Sequence, residues 1–217
     1  MQKTTPHTGE RIATLITLLV LARHGKAPKT SPDQQDEDRT LSELGIAQAK
    51  KLRAKLEGMT FDTVLSSPLV RARDTVAIAI ENKNSIVLID ELTCPTDGIH
   101  PVDTMFNELG YRPLQDYFDH QHGDHLKAWG ITALEKVLDT IEGKPGQKVL
   151  IVGHAVLQNA LAWALCEALR NTVENDAAME IIMETPLGEG EAFALKTYVK
   201  LVGGDSGEIH CEHIKQD

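Results

Sequence analysis

The run Leu15-Ile16-Thr17-Leu18-Leu19-Val20-Leu21-Ala22 leads directly into Arg23-His24-Gly25-Lys26. A continuous apolar run of this length, rather than an alternating one, reads as a strand covered by helices on both faces, and so as a central strand of a parallel sheet. In such sheets ligands settle in the crevice outside the carboxyl ends of the strands. Arg23 and His24 stand at that end, where a cation and an imidazole suit an anion such as phosphate. The triplet alone carries little weight, because Arg23 reads equally as a surface charge and His24 as a capped loop histidine.

Two further segments repeat the arrangement. Phe61–Leu65 is a short apolar strand candidate, followed by Ser66-Ser67-Pro68-Leu69-Val70-Arg71-Ala72-Arg73-Asp74-Thr75 at the opening of a helix. Val149-Leu150-Ile151-Val152 runs into Gly153-His154-Ala155. Three strand ends thus bring Arg23, His24, Arg71 and His154 to one edge of a sheet. From about Leu18 to Leu165 these motifs, in this order, resemble the histidine phosphatase (phosphoglycerate mutase-like) superfamily. Arg-His-Gly-Lys-Ala and the later Glu91-Leu92-Thr93 are closest to its bacterial phosphohistidine phosphatase branch. The resemblance implies an α/β fold of three α/β/α layers, with a mostly parallel central sheet flanked by helices.

Periodicity along the rest of the chain agrees with that class. Met1–Glu10 is polar, and residues 1–14 are expected to form a flexible extension before a single domain at 15–203. Lys26–Thr40, with Pro28, Pro32, Asp33, Asp36, Glu37 and Asp38, reads as a mobile loop able to close over the site. Ser42 is a candidate N-cap for a helix whose buried face carries Ile46, Ala49, Leu52 and Leu56 and which ends at Gly58. Leu69–Ile80 reads as a helix and Ile86–Ile89 as a strand, so β and α elements alternate. Residues 91–125 are broken by Pro95, Gly98, Pro101, Gly110 and Pro113 and read as an irregular, cap-like insert in which substrate choice would lie. Lys127–Ile141 and Val156–Leu169 read as helices, Ile181–Met183 and Ala192–Val199 as further strands, and 204–217 as a peripheral tail.

With 217 residues and 41% hydrophobic content the chain can bury one core of ordinary size. A net charge of −10 argues against a nonspecific grip on nucleic acid. It does not oppose binding of a small phosphorylated ligand by Arg23 and Arg71, aided by Lys26 or Arg39. The three cysteines, Cys94, Cys166 and Cys211, are odd in number and lack metal-ligand spacing, which points to reduced thiols in a cytoplasmic protein. No apolar stretch reaches the roughly 20 residues of a membrane helix.

Hydrolysis of a phosphate monoester requires charge neutralisation and a nucleophile. Arginine supplies the first with a planar fork that holds two oxygens, and Arg23 and Arg71 fill that role. A neutral imidazole supplies the second, and His24 is the expected nucleophile, forming a phosphohistidine that water then hydrolyses. His154 is expected to bind the transferring oxygens. The resemblance implies the same four assignments. It also leads to a candidate general acid, Glu91, which reads equally as a loop carboxylate ordering the pocket edge; Asp97 is a weaker candidate. Arg73 lies two residues from Arg71 and so on a different helical face, pointing to solvent. His120, His122 and His125 could gather a transition metal or remain solvated. The expectation is a phosphatase without metal or cofactor, acting on a phosphorylated small molecule or a phosphohistidine protein. A phosphoglycerate mutase-like phosphotransferase and a catalytically weak phospho-ligand binding module are the alternatives, and the oligomeric state stays open.

Overall fold

Every second residue of the opening strand enters a different core, and this divides the protein into layers. In β1 (Ile16–Arg23), Ile16, Leu19 and Leu21 join one buried cluster while Leu18, Val20 and Ala22 join another. In β4 (Gln147–Gly153), Val149 and Ile151 fall on the first side and Leu150 and Val152 on the second. The computed structural model describes residues 15–80, 86–93, 101–141, 144–170, 173–198 and 207–216. The expected extension at 1–14, together with Cys94 and Asp97, lies outside them.

β1 pairs in parallel with β4, and β4 pairs in parallel with β2 (Thr63–Ser66), which in turn pairs with β3 (Ile86–Leu88). On the other side of β1 runs β6 (Ala192–Tyr198), antiparallel, followed by β7 (Gly207–Ile214) and the two-residue β5 (Val173–Glu174). The seven-stranded sheet has the order β3-β2-β4-β1-β6-β7-β5. Strand β6 alone runs against the others, so the sheet is mostly parallel. Helices α1 (Glu43–Lys55) and α2 (Val70–Ala79) cover one face through Leu52, Ala72 and Val76. The other face is covered by α3 (Pro101–Leu109), α4 (Leu114–Phe118), α5 (Gly123–Thr140), α6 (Ala155–Leu169) and α7 (Asp176–Glu184). This is the three-layer α/β/α architecture.

Several sequence expectations need correction. Residues 181–183 lie in α7, where Ala178 and Ile182 are buried four apart; a three-residue apolar run cannot by itself separate strand from helix. Residues 207–214 are not peripheral, because β7 lies between β6 and β5 with Ile209 and Ile214 buried. From residue 101 the insert is helical: Pro101 occupies the first turn of α3 and Pro113 the N-cap of α4, positions where a missing N–H costs nothing. Val102, Met105, Leu114 and Tyr117 root both helices in the larger core. In α1 the buried stripe is Gly45, Ala49, Leu52 and Leu56, while Ile46 is 37% exposed. The shift arises because α1 sits close against the chain after β1, where a Cβ on Gly45 would come 2.2 Å from the Lys26 carbonyl oxygen.

Candidate active site

Sheet register puts the two histidines side by side. Arg23 is paired with Gly153 across the parallel β1/β4 ladder, so His24 and His154 each leave the sheet one residue later. The His24 amide donates to the Gly153 carbonyl at 3.0 Å, and the two imidazole centroids lie 5.1 Å apart at 65°. Gly25 and Gly45 let the outgoing chain pass under the start of α1, since a Cβ on Gly25 would meet the Gly45 oxygen at 2.4 Å. Ser42 closes this junction: its hydroxyl accepts from the Gly45 amide and donates to the Lys26 carbonyl.

His24 is buried, and its Nδ1 lies 2.7 Å from the Gly25 carbonyl oxygen. A carbonyl only accepts, so Nδ1 carries the proton and Nε2 keeps its lone pair. Arg71 Nε donates to that Nε2 at 3.2 Å. Burial first, then the positive charges of Arg71, Arg23 and Arg39, press the His24 pKa down to about 3, against the raising effect of the Gly25 hydrogen bond. His154 is pushed well below the usual histidine value by burial and then by His24 and the same arginines. Both rings are therefore neutral at ordinary pH.

The arginines approach from separate elements. Arg71, from the first turn of α2, is buried; Nη1 donates to the Asp36 carbonyl at 2.6 Å and Nη2 to the Asp36 carboxylate at 2.7 Å. Burial alone would raise the Asp36 pKa, but the charge and hydrogen bond of Arg71, with those of Arg39, hold it below the ordinary carboxylate value. Arg23 donates from Nη1 to the Leu187 carbonyl at 3.0 Å, and its guanidinium lies 5.7 Å from the Tyr111 ring centroid. Its buried Nε finds no acceptor among the described residues, leaving a donor available to an anion.

These groups share a cleft of about 500 Å³ with Lys29, Asp36, Arg39, Asp103, Phe106, Asn107, Tyr111, Tyr117 and Glu189 on its walls. The N-terminus of the fifteen-residue α6 opens onto it at Ala155, adding the positive end of a helix dipole. A larger cavity of about 690 Å³ beside α1 and α2 contains none of the four motif residues. Glu91 does not line the cleft; its carboxylate lies on the α5 side, 3.8 Å from Lys136 Nζ. Asp103 does line it, as do Asp36 and Glu189. Arg73 is exposed, as its spacing from Arg71 requires. His120 is committed to Glu108 at 2.9 Å, and no group of three His, Cys, Asp or Glu among the described residues is placed to hold a metal.

Sequence reading passed over Asp36, Asp103 and Ser67. The Ser67 hydroxyl lies 2.9 Å from His154 Nε2 and 3.1 Å from Thr93 Oγ1, and it accepts from the Leu69 amide. Besides meeting the first turn of α2, it is the partner that holds the His154 ring.

A family profile for the histidine phosphatase superfamily (branch 1) matches residues 19–93, from β1 through Arg71 to Thr93. The match spans about a third of the chain and takes in Arg23, His24 and Arg71. No curated protein sequence matches it. Solved structures of similar fold include a candidate phosphohistidine phosphatase SixA from Agrobacterium tumefaciens, 20% identical with a TM-score of 0.56 over 93% of this chain and 99% of that one. A phosphoserine phosphatase from Entamoeba histolytica, in complex with 3-phosphoglyceric acid, is 21% identical with a TM-score of 0.57 over 82% and 89%. A mycobacterial glucosyl-3-phosphoglycerate phosphatase is 20% identical with a TM-score of 0.57 over 90% and 97%. At these identities the likeness establishes the fold of this protein. No helix among its described residues is long and apolar enough to cross a membrane.

Proposed function

We propose that this protein is a histidine phosphatase superfamily member that hydrolyses phosphomonoesters or phosphohistidine through a covalent phosphohistidine on His24. The observation that carries this reading is the tautomer of His24: Nδ1–H is spent on the Gly25 carbonyl, so the nucleophilic lone pair resides on Nε2, between two arginines. Nε2 attacks phosphorus in line, the N–P bond forms, and the bond from phosphorus to the leaving group breaks. The equatorial oxygens are held by Arg23, Arg71, His154 and the N-terminus of α6. Water then attacks phosphorus from the vacated side, the N–P bond breaks, water's proton returns to the carboxylate that protonated the leaving group, and inorganic phosphate departs with His24 restored. Charge neutralisation comes from side chains, so the scheme uses no metal or cofactor.

The leaving alkoxide takes a proton from Asp103. This carboxyl replaces Glu91 in the scheme because it lines the cleft and Glu91 does not. The cleft has the size of a small-molecule site, and α3 and α4 wall it with Phe106 and Tyr111. Both features favour a phosphorylated small molecule over a protein surface as substrate.

The deciding experiment is phosphate release by wild type and His24→Ala, in chelator, from an aryl phosphate, a panel of metabolite monoesters and a phosphohistidine protein. His24→Ala is expected to lose at least about a thousandfold in kcat/KM. Rapid alkaline quenching of wild type should trap an acid-labile, alkali-stable phosphoprotein. Turnover retained by His24→Ala overturns the reading.

A further inference from the structure

Asp36 occupies the place where a phosphoryl oxygen would meet Arg71. Its Oδ2 accepts from Arg71 Nη2 at 2.7 Å, its backbone carbonyl from Arg71 Nη1 at 2.6 Å, and its Oδ1 from Arg39 Nη1 at 2.6 Å. A carboxylate bridging two guanidinium groups offers them anionic oxygens of the kind a bound phosphoryl group would offer. The adjoining edge of Arg71 is also engaged, because Nε donates to the His24 lone pair. The pairwise grip that arginine offers an oxyanion is therefore taken up within the protein, half by the nucleophile and half by Asp36.

Electrostatics accounts for this arrangement. The Arg71 side chain is 7% exposed, and a buried guanidinium without a counter-anion is strongly unfavourable. Some anion must be present whenever the cleft holds no phosphate. Asp36 lies on a coil segment with 27% of its side chain exposed, so its carboxylate has solvent to turn into. That segment keeps its shape through bonds of its own: Thr30 donates to Gln34, Gln34 to the Asp38 carbonyl, and Arg39 Nε to the Ala27 carbonyl. Turning the carboxylate away from Arg71 Nη2 leaves the loop folded and the backbone-carbonyl bond to Nη1 in place. Keeping Asp36 on Arg71 beside an incoming dianion, by contrast, would set like charges against each other.

We propose that Asp36 is an internal competitor for the phosphate subsite, a carboxylate that occupies Arg71 in the empty cleft and that the phosphoryl group of substrate or product displaces. Asp36 thereby sets the affinity of the site for phosphate and opposes trapping of the product. The proposal rests on the phosphatase reading of the cleft, and it predicts the opposite sign from a role in aiming Arg71. An aiming residue strengthens phosphate binding; a competitor weakens it.

The test is calorimetric titration of inorganic phosphate into wild type, Asp36→Asn and Asp36→Ser at fixed ionic strength, with circular dichroism to confirm that each is folded. Both variants are expected to bind phosphate about tenfold more tightly, the strength of a charge-assisted hydrogen bond reduced by partial exposure. Product inhibition by phosphate should tighten in parallel, and kcat/KM should rise. Unchanged or weakened phosphate binding in the two folded variants overturns the competitor role and leaves the phosphatase reading intact. Failure of wild type itself to bind phosphate overturns both.

Discussion

A histidine that attacks phosphorus must be neutral and must present one particular nitrogen. The Gly25 carbonyl and the surrounding guanidinium groups impose both conditions on His24. Stability bears the cost at low pH. The folded His24 pKa is about 3 and that of His154 well below 6.5, whereas unfolded histidine titrates near 6.5. The folded state is thus favoured fully above pH 6.5 and loses stability as the pH falls toward the folded values, because only the unfolded chain takes up the protons. At pH 5.0 His24 should subtract about 2 kcal/mol relative to neutral pH, and His154 acts in the same direction. Urea unfolding at pH 7.5 and 5.0 should therefore show a smaller loss for His24→Ala than for wild type, by about that amount. Asp103→Asn should lower hydrolysis of alkyl phosphates by about a hundredfold and spare phosphohistidine, whose imidazole leaves more easily. Equal effects on both substrates in steady-state assays would remove Asp103 as proton donor. Four side chains of the cleft were legible in the sequence because each stands at or just beyond a strand end: Arg23 closes β1, His24 and His154 follow β1 and β4 directly, and Arg71 lies in the first turn of the helix after β2. Asp36 and Asp103 were not, because their positions depend on how a loop and an insert fold back over that edge; Ser67 directly follows β2, but its contact with His154 depends on pairing with a strand far away in sequence.

At the scale of elements, one glycine contact joins the nucleophile loop to α1. Gly25→Ala would drive a Cβ to 2.4 Å from the Gly45 carbonyl oxygen, backbone that cannot yield without moving the helix. A loss of about 2–3 kcal/mol is expected in chemical denaturation. The catalytic rate should also fall, since the displaced loop carries His24. Gly130 plays a similar part between α5 and α6, where a Cβ would stand 2.6 Å from the Ala160 oxygen. Sequence patterns located β1, β2, β4, α1 and α2 because their apolar residues recur at clear periods. They misread the insert from Pro101 on, since prolines that break a helix interior are acceptable at its start.

For the whole molecule, the sheet is completed by its last strand. β7 alternates exposed Glu208 and His210 with buried Ile209, a mixture that conceals a strand inside a charged stretch. It also supports the site from a distance. His213 holds the Glu191 carboxylate at 2.9 Å, Glu191 in turn accepts from the Gly188 amide, and this turn carries the Leu187 carbonyl that receives Arg23. Removal of residues 207–217 should leave β6 unpaired on one side and yield aggregated protein, as size-exclusion chromatography would show; a monodisperse, active truncation would contradict this role for β7. The paired exit of His24 and His154 from neighbouring parallel strands has a different consequence. Their spacing is inherited from hydrogen-bond register, to which helices α3 and α4 contribute nothing. Apart from the proton donor Asp103, chemistry and choice are thus built on separable parts of the chain. A graft that exchanges residues 101–118 for a foreign helical pair, while retaining Asp103 and apolar anchors at positions 102, 105, 114 and 117, should still form the acid-labile phosphoprotein yet rank its substrates in a new order.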